Sequence, residues 1–150
     1  MRVWRIAREV YPLLDGEGAR RWGGRWNSPG TAIVYTASSS ALAVLESLVA
    51  RDEEDAPEDL ILASIRVPDD ALIERIEADS LPGDWQAPQH ERCRAIGDEW
   101  AASTRSLILA VPSAVLPEET NYLLNPLHPA SRKCRVVASR RFAFDPRLLR

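Results

Sequence analysis

The sequence is poor in the residues and motifs that hold a metal ion. Of its 150 residues, two are cysteine and two are histidine. Cys93 and Cys134 lack metal-ligand or redox spacing, and His90 and His128 belong to no HExxH pattern. We therefore expect reduced, structural cysteines and a protein that needs no metal.

The sequence also lacks a long apolar run and an excess of positive charge. Arginines interrupt the N-terminal stretch MRVWRIAREVYPLL, where a signal peptide needs a continuous apolar core, and no segment is as long as a membrane span. The formal net charge of −3 supplies no general attraction for nucleic acid, although Arg132, Lys133 and Arg135 form a local basic group. We expect a cytoplasmic protein without a membrane or direct nucleic-acid partner.

The common nucleotide-binding fingerprints are missing too, since no P-loop is present and no GxGxxG follows a strand. The length and composition suit a folded protein of one ordinary domain. The chain is 45% hydrophobic and 27% charged, and 150 residues can bury a core without staples. We predict a single domain over residues 1–150.

Hydrophobic periodicity predicts a mixed α+β domain of short strands with two main helices. Ser38 to Ser40 offer N-caps for the first helix, which runs to about Arg51, and the second spans Gln89 to Thr104. The expected strands are Arg2–Ala7, Thr31–Thr36, Leu60–Val67, Leu107–Val111, Arg135–Ala138 and Arg141–Asp145.

The segments between these elements predict less regular structure. Glycines and a proline between Asp15 and Gly30 indicate loops and a place where a ligand meets the backbone. The acidic segment Asp52–Asp59 is typical of a solvated loop, Leu72–Ile76 is compatible with a short helix, and Asn121–Pro129 is rich in turn residues.

GGRWN, from Gly23 to Asn27, is the first candidate site. Its glycines let a ligand approach the backbone, and the Arg25 fork suits phosphate or carboxylate. An exposed turn arginine is the simpler alternative. Trp22 and Trp26 stack on a ligand ring or pack in the core, and core packing is the stronger expectation for Trp26.

Four further side chains are candidates on their positions alone. Glu46 falls at the edge of an apolar helix face, which suits charge stabilisation or base chemistry but also an ordinary boundary glutamate. Tyr35 lies in the strand before that helix and either faces a shared cavity or is a core tyrosine. Ser113 follows a strand and Pro112 without a His/Asp relay, so no hydrolase triad is expected. Arg5 projects from its strand away from the Trp4 face.

Three stretches together resemble the RES domain family, named for arginine, glutamate and serine. They are Trp4–Ile6 (WRI), Gly18–Leu48 with GGRWN, and Val111–Pro129 with NPLHP. The resemblance implies an ADP-ribosyltransferase-like fold, with a mixed split β-sheet and flanking helices around an NAD cleft. It also implies the toxin of a bacterial toxin–antitoxin pair that consumes NAD, depletes it and arrests growth.

The resemblance also assigns residues. The positions that match the family's functional ones are Arg25, Tyr35, Glu46 and Ser113, together with Arg5 as a further arginine and Trp22 where relatives often carry tyrosine. Cleavage of the nicotinamide–ribose bond leaves positive charge on the ribose, which a carboxylate such as Glu46 would stabilise. Arg25 and Arg5 would grip the pyrophosphate or ribose oxygens, Tyr35 and Trp22 would orient rings, and Ser113 would hydrogen-bond the nicotinamide end or the ribose.

Several alternatives stay open at this point. The acceptor of the ADP-ribosyl group is water, inorganic phosphate or a protein side chain, which correspond to NAD glycohydrolase, NAD phosphorylase and ADP-ribosyltransferase activity. A catalytically silent module that binds a nucleotide or an antitoxin is a further alternative. The resemblance implies a hetero-oligomer with an Xre-type antitoxin that blocks the cleft and makes the contacts to DNA.

Overall fold

A computed structural model describes residues 1–51 and 57–149, so residues 52–56 of the expected Asp52–Asp59 loop lie outside the described residues. The described elements form an α+β fold. They are β1 (Arg2–Arg8), α1 (Glu17–Trp22), β2 (Val34–Ala37), α2 (Ser40–Val49), β3 (Leu60–Arg66), β4 (Ile73–Arg75), α3 (Glu91–Ser103), β5 (Ile108–Pro112), β6 (Thr120–Leu124) and β7 (Arg135–Arg141). No helix in these ranges is long and apolar enough to cross a membrane.

The seven strands form one mixed sheet in the order β4-β5-β6-β2-β1-β3-β7, in which β4 and β5 pair in parallel and the other neighbours are antiparallel. Seven Cα pairs join β1 to β3, whereas one pair, Trp4 with Ala37, joins β1 to β2. The sheet therefore has a narrow joint between β4-β5-β6-β2 and β1-β3-β7. This agrees with the α+β class and the mixed split sheet expected from the sequence.

The helices share one face of the sheet. Helix α2 packs Leu42 and Ala43 against Ala37 and the β1 side chains, and α3 packs Trp100 against Trp26 in a cluster over β5 and β6. The opposite face buries a second set of apolar residues: Val3, Val34, Ile65, Val67, Leu107, Ile108, Leu124 and Cys134. Removal of this apolar surface from water on both faces is the main contribution to the stability of the fold.

Tertiary pairing changed four local expectations. The segment expected as a short helix contains β4 instead, because Ile73–Arg75 pairs with β5 at the sheet edge. The turn-rich segment at Asn121 begins inside β6, which lies between β5 and β2. The six-residue helix α1 lies in the glycine-rich stretch expected as loops. The last strand, β7, runs from Arg135 to Arg141, so the strand expected at Arg141–Asp145 does not form beyond its first residue. For the strands, pairing with sheet neighbours outweighed weak local signals.

Helix α3 lies directly on the GGRWN segment at Gly97. A Cβ built on Gly97 would stand 1.6 Å from the carbonyl oxygen of Trp26, although the helix backbone there needs no positive φ. Glycine normally weakens a helix interior. Here its missing side chain lets α3 approach the backbone of Trp26, whose indole is 2% exposed.

We predict that Gly97→Ala lowers the free energy of unfolding by about 3 kcal/mol, because backbone must move to admit the methyl group. The measurement is the midpoint of urea unfolding. Gly18→Ala in α1 is the control, since nothing lies within 4 Å of a Cβ there, and it should stabilise slightly. Equal midpoints for the two variants would contradict the close contact.

Candidate functional site

Helix α2 sets the position of Glu46. Its N-cap is Ser39, whose side chain accepts a hydrogen bond from the backbone nitrogen of Leu42, as expected for the Ser38–Ser40 segment. Leu42 and Ala43 bury the helix against the sheet. Glu46 lies at the boundary of that buried face and is partly exposed.

Two neutral donors bind one oxygen of the Glu46 carboxylate. Ser113 Oγ donates to Oε1 at 2.6 Å, and Asn121 Nδ2 donates to the same oxygen at 2.8 Å. Within residues 1–51 and 57–149, Oε2 accepts no hydrogen bond and no cation forms an ion pair with this carboxylate. Among these residues the carboxylate thus has no cationic partner and one oxygen without a hydrogen bond, an arrangement that suits the stabilisation of a developing positive charge.

Ser113 is fully buried where β5 ends. Its hydroxyl donates to Glu46 and accepts from the backbone nitrogens of Val115 at 3.2 Å and Leu116 at 3.1 Å. A hydroxyl has one proton and two lone pairs, so all its positions are in use. Ser113 therefore holds Glu46 in place, and it could donate to a ligand only by releasing the carboxylate.

Asn121 was not among the candidates from the sequence. It is half-buried near the start of β6, opposite Val111 on one neighbouring strand and Ala37 on the other. A polar residue at a central strand position is the one signal that could have found it, and the turn-rich composition around it obscured that signal. Its Oδ1 is buried and has no hydrogen-bond partner in the described chain.

Asn27 organises the GGRWN turn. The residue is fully buried. Its Nδ2 hydrogen-bonds three carbonyl oxygens, those of Ala19, Ser28 and Thr31, at 2.9 to 3.1 Å. Its Oδ1 accepts from the Tyr35 hydroxyl at 2.6 Å. These bonds join the end of α1, the turn and the sheet.

Tyr35 is a core tyrosine whose hydroxyl is fully engaged. It donates to Asn27 and accepts from the backbone nitrogen of Trp26 at 3.0 Å. A Cβ on Gly24 would stand 2.6 Å from this hydroxyl, so glycine is required there. Burial raises the pKa of Tyr35 well above its ordinary value, and nearby Asp98 adds to this while Arg94 and Arg25 oppose it.

Arg25 binds the loop at residues 85–87. Its Nη1 donates to the carbonyl oxygens of Trp85 and Ala87, both at 3.1 Å, and its Nη2 donates to that of Gln86 at 3.3 Å. No carboxylate of the described residues forms an ion pair with it. Arg94 approaches the same turn from α3 and donates to the carbonyl oxygen of Gly24 at 3.3 Å. The turn therefore carries two guanidinium groups, of which the sequence indicated one.

Arg5 leaves β1 on the face opposite Trp4, as the strand alternation predicted. Its Nη1 donates to the carbonyl oxygen of Tyr35 at 3.0 Å, while its buried Nε has no hydrogen-bond partner in the ranges described. Burial lowers the pKa of the guanidinium, and the charge of Asp15 partly offsets this. Since α2 covers the other face, Arg5 and Glu46 belong to different sides of the sheet.

The two tryptophans at the turn differ in their surroundings. Trp26 is buried in the core as expected, whereas Trp22, at the end of α1, is 81% exposed and contributes nothing to the core. The structure thus brings Glu46 and Ser113 together, joins Arg5 to the Tyr35 backbone, and places Arg25 on a separate loop. The roles of all six candidates in binding or catalysis stay predictions.

Neither a metal centre nor a reactive thiol is visible in the described ranges. No group of three or more His, Cys, Asp or Glu side chains that could hold a metal ion occurs among residues 1–51 and 57–149. Cys93 and Cys134 are both unpaired and buried, and burial raises the pKa of each thiol, which disfavours the reactive thiolate.

A groove of about 390 Å³ lies away from all these residues, between β4 and α3. Its charged side chains largely pair with one another, because Arg105 binds Glu74 at 3.0 Å and Glu99 at 2.6 Å. None of the candidate residues lines it. The convergence of Glu46, Ser113 and Asn121 is therefore the better candidate for chemistry.

Comparison with known proteins shows the fold and the family of this chain. A chain of the crystal structure of the M. tuberculosis MbcT–MbcA toxin–antitoxin complex superimposes with a TM-score of 0.76 at 22% identity, over 99% of this chain and 86% of that one. The RES domain model matches residues 2–145. The chain belongs to the RES domain family.

Two relatives match along nearly their full length. A protein of Sphingobium sp. (strain YBL2) named "Prs ADP-ribosylating toxin" is 42% identical over 98% of this chain and 96% of its own length. A protein of Photorhabdus laumondii subsp. laumondii named "Toxin Res" is 38% identical over 100% of this chain and 98% of its own length. The family resemblance read from GGRWN and NPLHP is confirmed.

The Tyr35 environment gives a testable pH dependence. Because the pKa of this phenol is raised, its neutral form stabilises the fold below the ordinary tyrosine pKa of about 10, and that contribution declines above it. In absorbance titrations at 295 nm, the wild type and Tyr35→Phe should ionise the same number of tyrosines until unfolding begins. An extra tyrosine titrating near pH 10 in the folded wild type would contradict the buried arrangement.

Proposed function

We propose that the chain is the toxin of a toxin–antitoxin pair and an enzyme that cleaves the nicotinamide–ribose bond of NAD. The observation that carries the proposal is the Glu46 carboxylate, held through Oε1 by Ser113 and Asn121, while its other oxygen has no partner among the described residues. The relatives' toxin names, one of them an ADP-ribosylating toxin, support the same substrate and class.

The chemistry requires a negative charge beside the ribose. The bond between ribose C1′ and the nicotinamide nitrogen breaks, its electron pair leaves with neutral nicotinamide, and the ribose acquires oxocarbenium character. Glu46 would face this carbon and stabilise its charge. A carboxylate fixed before the reaction begins loses little energy to reorganisation as the charge develops.

The cationic groups at the turn suit the anionic part of the substrate. Arg25 is bound to carbonyl oxygens and has no carboxylate partner in the described ranges, so its charge is available to a pyrophosphate. Exposed Trp22 suits stacking on a ring. Arg5 and Tyr35 are better explained as support for β2, since Arg5 binds the Tyr35 backbone and the phenol is engaged by Asn27.

The acceptor distinguishes hydrolysis, phosphorolysis and transfer to a protein. One finding favours transfer as a second candidate, namely the 42% identical relative named for ADP-ribosylation. We retain loss of NAD to water or phosphate as the first candidate for growth arrest. An Xre-type antitoxin that covers the Glu46 side of the sheet and carries the DNA contacts completes the proposal.

Purified protein with NAD tests the reaction through release of nicotinamide. We predict that Glu46→Gln lowers turnover about 100-fold or more while the fold is retained, because the amide keeps the shape and removes the charge. The control is Glu77→Gln, an exposed glutamate away from the site, which should match the wild type. A folded wild type that leaves NAD intact without antitoxin would sink the proposal, and full turnover by Glu46→Gln would remove Glu46 from it.

Product analysis identifies the acceptor. Labelled NAD is incubated with the protein, with and without phosphate and with a host-cell extract. Transfer to water yields free ADP-ribose, transfer to phosphate yields phosphorylated ADP-ribose, and transfer to a protein yields a labelled protein band. Soluble products alone support NAD degradation. Label on one protein band supports ADP-ribosylation instead.

A further inference from the structure

Asn121 bridges the sheet and the Glu46 helix. Its Nδ2 lies 2.8 Å from Glu46 Oε1, across a sequence separation of 75 residues. The residue sits on a strand paired on both sides, opposite Val111 and Ala37, so its backbone has little freedom. Helix α2, by contrast, is held to the sheet mainly by apolar side chains, which do not fix the orientation of a carboxylate.

The chemistry of the contact fixes the orientation of the Asn121 amide. If the side chain were reversed, Oδ1 would face the Glu46 carboxylate, and two acceptors would be in contact without a proton between them. The nitrogen must therefore point to Glu46. This leaves Oδ1 buried and without a partner in the described chain.

That unpaired oxygen is a cost to stability. A buried acceptor without a hydrogen bond typically destabilises a fold by about 1–3 kcal/mol. A residue that served packing alone would gain from replacement by a small apolar side chain. An asparagine at this position is explained if its amide nitrogen is needed to donate a hydrogen bond to Glu46.

The two donors on Glu46 also select which oxygen is free. Ser113, directly after β5, and Asn121, in β6, both bind Oε1, so the carboxylate cannot rotate without breaking two hydrogen bonds. The position of Oε2 is then fixed relative to the sheet. A carboxylate whose free oxygen is held in one direction is arranged for a charge that develops at one place.

We propose that Asn121 is a positioning residue for Glu46. Its hydrogen bond to Oε1 orients the carboxylate so that Oε2 faces the ribose, which makes Glu46 effective in the transition state. The inference rests on the proposed function for its kinetic consequences. It also concerns the geometry of Glu46 itself, which does not depend on the substrate.

Asn121→Ala tests the proposal by separating activity from stability. We expect kcat for nicotinamide release to fall about 10- to 100-fold, the effect of losing one hydrogen bond to a charged group, with KM within about twofold. The midpoint of urea unfolding should be unchanged or higher, because the unpaired oxygen is removed as well. A lower midpoint with unchanged kcat would assign Asn121 a structural role and overturn the proposal.

Two further variants complete the kinetic experiment. Asn121→Asp keeps the size of the side chain but places a second carboxylate against Glu46, and it should lose at least as much kcat as the alanine variant. Thr120→Ala is the matched control on the same strand. The Thr120 side chain, next to Asn121 in sequence, points to the other face of β6 and has no hydrogen bond in the described chain, so kcat and KM should equal those of the wild type.

Crystal structures of the wild type and Asn121→Ala give a readout independent of turnover. The proposal predicts a single carboxylate orientation for Glu46 in the wild type and a rotated or doubled one in the variant. If the wild type releases no nicotinamide while Glu46 reorients, the proposed function fails and the positioning stands. An unmoved Glu46 in Asn121→Ala, together with unchanged kcat, overturns the positioning.

Discussion

Asn27 forms hydrogen bonds through both the nitrogen and the oxygen of its amide without contact with solvent, and the rest of the structure depends on this set of bonds. Through Tyr35 it joins the turn to β2 at the centre of the sheet. This turn also determines the position of Trp26, and α3 contacts the Trp26 backbone at Gly97. Loss of one of these partners would leave buried polar groups unpaired, which explains why glycine, tryptophan and asparagine occur together in one short motif.

These bonds show that most residues of GGRWN have a structural role. Its glycines admit the Tyr35 hydroxyl and a left-handed backbone at Gly23, and its asparagine and Trp26 build the core. In the proposed function the part of the motif that binds a ligand is the Arg25 side chain, which the carbonyl oxygens of residues 85–87 hold in place. The proposed reactive group, Glu46, lies apart from this turn on α2, where it contacts Ser113 after β5 and Asn121 near the start of β6. The candidate site thus combines a rigid turn with a rigid carboxylate.

The sequence predicted the elements whose signals are local. The alternation of β1 placed Arg5 and Trp4 on opposite faces, and the serines before Ala41 placed the N-cap of α2. It did not predict contacts between distant segments, because Tyr35 with Asn27 and Glu46 with Ser113 follow from strand order and register. Asn121 was missed for the same reason. Its hydrogen bond joins residues 75 positions apart, and the sequence around Asn121 does not indicate a partner on α2.

The central claim is that the scissile bond of NAD is brought to the unpaired oxygen of Glu46. A crystal structure of the Glu46→Gln variant soaked with NAD tests it most directly, because the substrate should persist. The account predicts the nicotinamide ribose in contact with residue 46, beside Ser113 and Asn121, with the pyrophosphate toward Arg25. NAD bound in the groove between β4 and α3 instead, or a fully occupied site with its ribose away from residue 46, would contradict it.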